Sequence, residues 1–337
     1  MSLMAAEIRE IPQAVARLLA DPVPIQKAAD AARHLNPALI CTVARGSSDH
    51  ACTYLSYAAQ LTLGLPVASI GPSVASIYAR QLRLPNALCL AVSQSGQSPD
   101  IVAMMRMARA GGAMTVAVTN HPLSPLGQGS DHVLALHAGA ERSVAATKTF
   151  VTSAVAGLWL IAEWARDDAL LAAIRALPAH LERAAALDWE PLRNALTGDS
   201  LFTLGRGPAY AMANEAALKF KEVTQIHAES YSSAEVMHGP VSIVGQGFPV
   251  LALAVADAAE PGVVQVADQI AAKGARVFVT SDMATHATRL DHVRTGHALT
   301  DPLALITTFY ATVERLAQAR GIDPDTPRHL KKVTETI

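Results

Sequence analysis

Cysteine is scarce in this chain: Cys41, Cys52 and Cys89 are the only three. Their odd number and the lack of any C-x-x-C spacing exclude a disulfide framework and point to core thiols in a reducing compartment, the cytoplasm. An excess of charge is missing too. Lys and Arg number 27 against 29 acidic residues, a net −2, and no basic stripe interleaved with aromatics occurs, so nucleic acid is not an expected partner. No apolar run is long enough for a membrane. Val151 to Leu160 continues through Ile161, but Glu163 and Arg166 interrupt it short of the ~20 residues a span needs, which predicts a buried helix. The opening Met1-Ser2-Leu3-Met4 lacks the charged start and apolar core of a signal peptide. His227 and His238 have no third histidine or cysteine at metal-ligand spacing, so no metal is expected. What the chain does have is 51% hydrophobic residues over 337 positions, enough for two domains of about 150 residues each.

The apolar run Leu88-Cys89-Leu90-Ala91-Val92 is followed by Ser93-Gln94-Ser95-Gly96-Gln97-Ser98 and then by an amphipathic segment from Pro99. This reads as strand, hydroxyl-rich loop, helix. The first helical N–H groups lack intrahelical partners, and with the helix dipole and several hydroxyls they suit a phosphate. A phosphorylated small molecule is the expected ligand.

The chain is also written twice. Ala38 to Gly46 and Ser200 to Gly207 are apolar runs ending in Arg-Gly, and their final glycines are 161 positions apart. Gly112 to Thr119 recurs from Gly274 at an offset of 162, and Asp131-His132-Val133 recurs at Asp291 at an offset of 160. Three landmarks at one spacing indicate duplication. Within each copy short β-rich runs alternate with helical segments, the pattern of right-handed βαβ units. The expected fold is therefore α/β, with two tandem doubly wound parallel-sheet domains related by duplication. The expected boundaries are an N-terminal helical segment at 1–25, a first domain at 26–180 and a second at 190–325. The second copy has Ala256-Asp257-Ala258-Ala259-Glu260-Pro261 in place of the Ser-rich loop, and its acidic groups would repel an anion. One phosphate site per chain is expected.

Glu215, Lys219 and Glu222 stand at i, i+4 and i+7 and share one helical face. A solvated ion-pair ladder is the ordinary form of such a pattern. The polar stretch His227 to Pro240 that follows carries two His and two Glu, poor material for a strand or a core helix, and is expected to be a functional loop. A histidine beside carboxylates suits proton transfer, because its unperturbed pKa lies near neutrality. At the far end Lys331 and Lys332 form a basic tail. If that tail folds back, a deprotonated amine there can join a sugar carbonyl as a Schiff base.

Taken together, Gly46-Ser47-Ser48 with His50, the Ser-Gln-Ser-Gly loop, Ala145-Ala146-Thr147-Lys148, the Glu215 to Gly239 block and the Pro327-Arg328 to Lys332 run resemble the sugar isomerase (SIS) family. The likeness is greatest to the isomerase half of the glutamine-fructose-6-phosphate amidotransferases and runs through nearly the whole chain. It implies flavodoxin-like SIS domains. It also implies a sugar phosphate held by Ser47, Ser48, Ser93, Gln94, Ser95 and Ser98, with Val144 and Ala145 completing the substrate set. Glu222 then moves a proton between C1 and C2, His238 assists ring opening, Lys332 can form an imine with the ketose, and Glu215 and Lys219 support them. The resemblance further implies a tail at 326–337 that folds over the site, and a homodimer in which His238 reaches the partner's site.

The chain departs from that pattern in having no N-terminal glutaminase domain or cysteine near its start, so glutamine is not the expected ammonia source. It also departs at Arg45, Asp49, Gln97, Ala146 and Met237. The expected activity is that of a glucosamine-6-phosphate deaminase of the SIS type, yielding fructose-6-phosphate and ammonia with no metal or organic cofactor. The same loops serve fructosamine-6-phosphate deglycases and enzymes of the galactosamine or tagatose series. A non-catalytic sugar-phosphate sensor is the alternative of another class.

Overall fold

The computed structural model describes residues 1–332. Two parallel five-stranded sheets organise the chain. In the first, β1 (Leu39–Val43), β2 (Val67–Ser69), β3 (Ala87–Val92), β4 (Met114–Thr119) and β5 (His132–Ala135) run in the order β2-β1-β3-β4-β5. In the second, β6 (Ser200–Gly205), β7 (His227–Ser232), β8 (Pro249–Ala252), β9 (Arg276–Val279) and β10 (Thr288–Arg289) run in the order β10-β9-β8-β6-β7. Counted from its own first strand, each sheet has the same doubly wound order, with its switch point between the first and third strands. The duplication is thus a repeat of topology as well as of sequence.

Helices between the strands bury both faces of each sheet, which is why the strands read as continuous apolar runs. All six residues of β3 are buried. Its register with β1 pairs Leu39 with Ala87 and Val43 with Ala91. Cys41, Cys89, Ile101, Met104 and Met105 share one core against the helix Pro99–Ala110. The other face is covered by the helices Ser47–Leu63 and Lys148–Ala165. The latter is the buried helix expected around Val151, with every residue from Lys148 to Ala162 buried. Among the described residues no helix is long and apolar enough to cross a membrane. Cys41, Cys52 and Cys89 are free and buried, and burial raises all three thiols, Cys89 to about 12.

The repeat is visible at atomic scale in its two glycine turns. Gly46 has φ 56°, ψ −133° and Gly207 has φ 57°, ψ −137°, each immediately preceding a helix. L side chains rarely adopt that conformation, so both copies keep Arg-Gly at the end of their first strand.

The chain forms two compact units. The first comprises Gln13–Glu141, Lys148–Arg175 and, at the end of the described residues, Lys331 and Lys332. The second comprises Met1–Pro12, Arg142–Thr147 and Ala176–Leu330. Hydrogen bonds explain why the beginning of the chain belongs to the second unit. Asp325 accepts from Leu3 N and Met4 N at 2.7 and 2.8 Å, at the start of the helix Leu3–Arg9. The buried Glu7 accepts from the backbone N–H groups of Arg142 and Ser143.

One sequence expectation is corrected. His227–Ser232 is a strand, paired in parallel with β6 from Ser200–His227 to Gly205–Ser232. It lies at the edge of its sheet, where only Ala228 is buried. An edge strand needs one hydrogen-bonded neighbour and can leave polar side chains in water.

Candidate functional site

Two groups of expected residues come together, one in each unit. In the first unit, the loops that follow β1 and β3 leave the carboxyl ends of neighbouring strands, the place where doubly wound sheets bind ligands. Between these loops is a cavity of about 310 Å³ lined by Arg45, Gly46, Ser48, Val92, Ser93, Gln94, Ser95, Ser98, Ile101 and Lys332. Ser48, Ser93, Gln94, Ser95, Ser98 and Lys332 therefore share one space. Ser47 occupies the first turn of the same helix as Ser48 but is not a lining residue. Val144 and Ala145 belong to the 142–147 segment of the second unit.

The loop between β3 and its helix is held from within. Ser93 Oγ accepts from Gly96 N at 3.2 Å, and Ser95 Oγ accepts from Gln97 N at 3.3 Å. Thr119 Oγ1 and Asn120 N both donate to Gln94 O. Gly96 is required by space: at φ +63° a Cβ there would lie 2.0 Å from Ser124 Oγ. Ser98 caps the helix position without using its hydroxyl on the cap.

Two cations line this cavity, each tied to a buried carboxylate. Arg45 places Nε at 3.0 Å and Nη2 at 2.9 Å from Asp100 Oδ2, with the Asp100 side chain 0% exposed and that of Arg45 52% exposed. Lys332 Nζ lies 3.0 Å from Glu141 Oε2. Glu141 is anchored in turn by Thr149, whose N donates to Oε1 at 3.0 Å and whose Oγ1 donates to Oε2 at 2.5 Å. Composition singled out neither Asp100 nor Glu141, because nothing local marks a carboxylate whose partner is 55 or 191 positions away. Residues 333–337 of the expected tail lie outside the described residues.

In the second unit, the helix Pro208–Lys219 runs into a π-helical turn, Phe220–Thr224, that carries Glu222. Such turns are rare and concentrate at functional positions. Lys219 Nζ stands 3.4 Å from Glu215 Oε1 and 2.5 Å from Glu222 Oε2. The side chains of Glu215 and Lys219 are 0% and 1% exposed, against 20% for Glu222. A solvated ladder is therefore replaced by a buried ion-pair group with one carboxylate open to solvent. Burial works against the Lys219 charge, but Glu215 and then Glu222 outweigh it and hold the ammonium above the ordinary lysine range. Tyr310 Oη also donates to Glu215 Oε1 at 2.9 Å. His238 closes a short 3-10 turn, Glu235–His238, and is exposed. Among the described residues no cluster of His, Cys, Asp or Glu has the arrangement of a metal site.

The second copy of the glycine turn faces a different neighbour. A Cβ at Gly207 would lie 3.9 Å from Asp257 Oδ2. Burial raises the Asp257 carboxyl, and the nearby Glu260 and Asp301 raise it further, against two backbone N–H bonds that lower it. Glu260 is bound by Arg294 at 2.7 Å and accepts from Ser281 Oγ at 2.7 Å.

Comparison with known proteins gives concordant results. The SIS domain pattern matches residues 37–162 and 197–317, one match per sheet. A crystal structure from Silicibacter pomeroyi DSS-3, provisionally described as a phosphosugar isomerase, is 61% identical with a TM-score of 0.94, covering 96% of this chain and 100% of that one. The glutamine–fructose-6-phosphate aminotransferase [isomerizing] of Symbiobacterium thermophilum is 34% identical over 314 residues, 87% of this chain and 51% of that protein. The chain thus spans about half the length of the curated relatives it matches. The glucosamine-6-phosphate deaminase of Thermotoga maritima shares the fold, with a TM-score of 0.79 at 19% identity over 99% of this chain and 100% of that one.

Proposed function

The chain belongs to the SIS domain family, and from that premise we propose that it is a phosphosugar isomerase that deaminates glucosamine-6-phosphate to fructose-6-phosphate and ammonia. The observation that carries the reading is the hydroxyl-lined cavity of the first unit, in which Ser48, Ser93, Gln94, Ser95 and Ser98 meet the ammonium of Lys332. Neutral donors around a small space suit a phosphate, and two helices begin at its rim with N-terminal N–H groups and dipoles that favour an anion. Ser47, Val144 and Ala145 complete the proposed substrate set.

In the proposed reaction His238 assists opening of the pyranose, freeing the C1 aldehyde. Glu222 takes the proton from C2 and returns it to C1, while a proton passes from the C2 amine to O1, so that the aldehyde with its C2 amine becomes a C1 alcohol with a C2 imine. Water adds to C2 and ammonia leaves, giving the ketone of fructose-6-phosphate. Lys332 can hold C2 as a Schiff base in the course of that exchange. Glu215 and Lys219 support the Glu222 carboxylate. Positioning and acid–base catalysis supply the rate, and no cofactor is invoked. The proposal includes a homodimer in which the exposed His238 serves the partner's site.

Ammonia release from glucosamine-6-phosphate tests this, run beside galactosamine-6-phosphate and a fructosamine-6-phosphate with Glu222→Gln as control. Release from the first substrate alone, lost in the variant, is the expected result. Turnover of only one of the others reassigns the substrate. Silence with all three despite sugar-phosphate binding makes the protein a sensor.

A further inference from the structure

Tyr310 lies in the helix Asp301–Ala319, fully buried, with its hydroxyl 2.9 Å from Glu215 Oε1. Glu215 faces Lys219, and Lys219 donates to Glu222. The four groups form a chain that begins in the core and ends at the one partly exposed carboxylate. Burying a phenol is costly unless its hydroxyl finds a partner, and this one donates to a carboxylate of a charged relay.

We propose that Tyr310 is a positioning residue for proton transfer, acting through Glu215 and Lys219 to hold the Glu222 carboxylate. The inference rests on the reading of Glu222 as the group that moves the proton. Two carboxylates compete for one ammonium, and the distances show the outcome: 2.5 Å to Glu222 against 3.4 Å to Glu215. A donated hydroxyl bond reduces the demand of Glu215 for that ammonium. Without it, Glu215 draws Lys219 inward and Glu222 loses its cation. A carboxylate deprived of a nearby cation takes up a proton at higher pH.

Glu7, on a helix packed against the Tyr310 helix, accepts from Arg142 N and Ser143 N, and Arg193, on another, pairs with Asp188. Lys221 and His227 are exposed. Glu229 takes the Tyr231 hydroxyl at 2.6 Å. On the Tyr310 helix, Asp301 holds Thr295 and Arg294, Glu314 holds Ser2, and Arg315 reaches Asp188.

The test is Tyr310→Phe, which deletes one oxygen and keeps the ring. The readout is the pH dependence of kcat and KM on whichever of the three sugar phosphates turns over. The acidic limb is expected to move up by about half to one pH unit and kcat to fall about three- to tenfold, with KM within about twofold. In a Glu215→Gln background the same substitution should add less than about a twofold change, because its route to Glu222 is already cut. A thermal midpoint that falls while the acidic limb stays in place assigns Tyr310 a packing role and overturns the proposal. An unchanged limb and kcat beside an inactive Glu222→Gln refutes the relay and leaves the base intact. Full turnover by Glu222→Gln, or silence with every substrate, removes the base itself and the relay with it.

Discussion

Replacing Gly96 by alanine perturbs the hydroxyl-lined cavity of the first unit at one defined point. The new Cβ would stand 2.0 Å from Ser124 Oγ, 2.7 Å from Ser124 Cβ and 3.0 Å from Thr119 Oγ1, on a backbone at φ +63°. The left-handed backbone costs an alanine about 1–2 kcal/mol, and crowding in a packed interior costs about 1–3 kcal/mol. Neither neighbour can simply turn away. Ser124 Oγ accepts from Gly127 N at 3.3 Å at the start of the turn Pro125–Gln128, and Thr119 Oγ1 holds Gln94 O. A destabilisation of about 2–5 kcal/mol follows, read by urea unfolding with Trp159 and Trp164 of the first unit as reporters. Inorganic phosphate binding measured by calorimetry should weaken at least about tenfold. Ser124→Gly removes the two nearest atoms at the cost of the cap, about 1 kcal/mol. The double variant should therefore recover the crowding cost and keep only strain and cap. If its loss instead equals the sum of the single losses within about 0.5 kcal/mol, close approach to Ser124 is not the reason for glycine.

Arg45→Gln should raise KM about fivefold with kcat within about twofold, the half-exposed position of the guanidinium limiting its worth to about 1 kcal/mol; an unchanged KM would show that Arg45 serves Asp100 alone. Burial raises the Asp268 carboxyl, but the bonds it accepts from Thr285 N, His286 N, Ala287 N and Thr285 Oγ1 together outweigh that and hold it far below the usual range. Its folded pKa is depressed, so its contribution to stability is full above the unfolded aspartate value of about 3.9 and is lost as pH falls from there towards the folded value. Asp268→Ala should cost about 1 kcal/mol at pH 7 and flatten the stability curve below about pH 4. A parallel downward offset at every pH would contradict that account.

Most of the fold could be read from local pattern. The run Leu88 to Val92, the hydroxyl loop and the proline-led helix are consecutive features, and β3 (Ala87–Val92) with the helix Pro99–Ala110 follows them closely. The duplication was legible because Gly46 and Gly207 occupy a backbone conformation that side chains rarely adopt, which keeps an Arg-Gly signature in each copy. The segment His227–Ser232 reads as a loop because polar residues outnumber apolar ones there, a rule that ignores how little an edge strand must bury. The site was legible only where its residues neighbour one another in sequence. Ser93 to Ser98 and Glu215 to Glu222 qualify. Arg45 with Asp100, Glu141 with Lys332 and Tyr310 with Glu215 join positions 55, 191 and 95 apart, and only the folded topology brings them together.

The two copies share a turn and differ in what faces it. At Gly46 the turn borders hydroxyls and two cations, whereas at Gly207 it borders the carboxylate of Asp257. An anion seated against the second turn would have that carboxylate as a neighbour, and like charges repel. Beyond the ends of β8 and β9 the second unit carries its own ion pairs, with Arg294 bridging Glu260 and Asp301 and donating to Ala254 O and Thr280 O. Its charged machinery sits at the opposite end of the same helix that the Gly207 turn begins. There Lys219 occupies the last turn, where the helix dipole favours a cation, and the π turn presents Glu222 to it. The duplicated unit thus carries two arrangements: a hydroxyl-lined cavity at a helix N-terminus in the first copy, and a cation-held carboxylate at a helix C-terminus in the second.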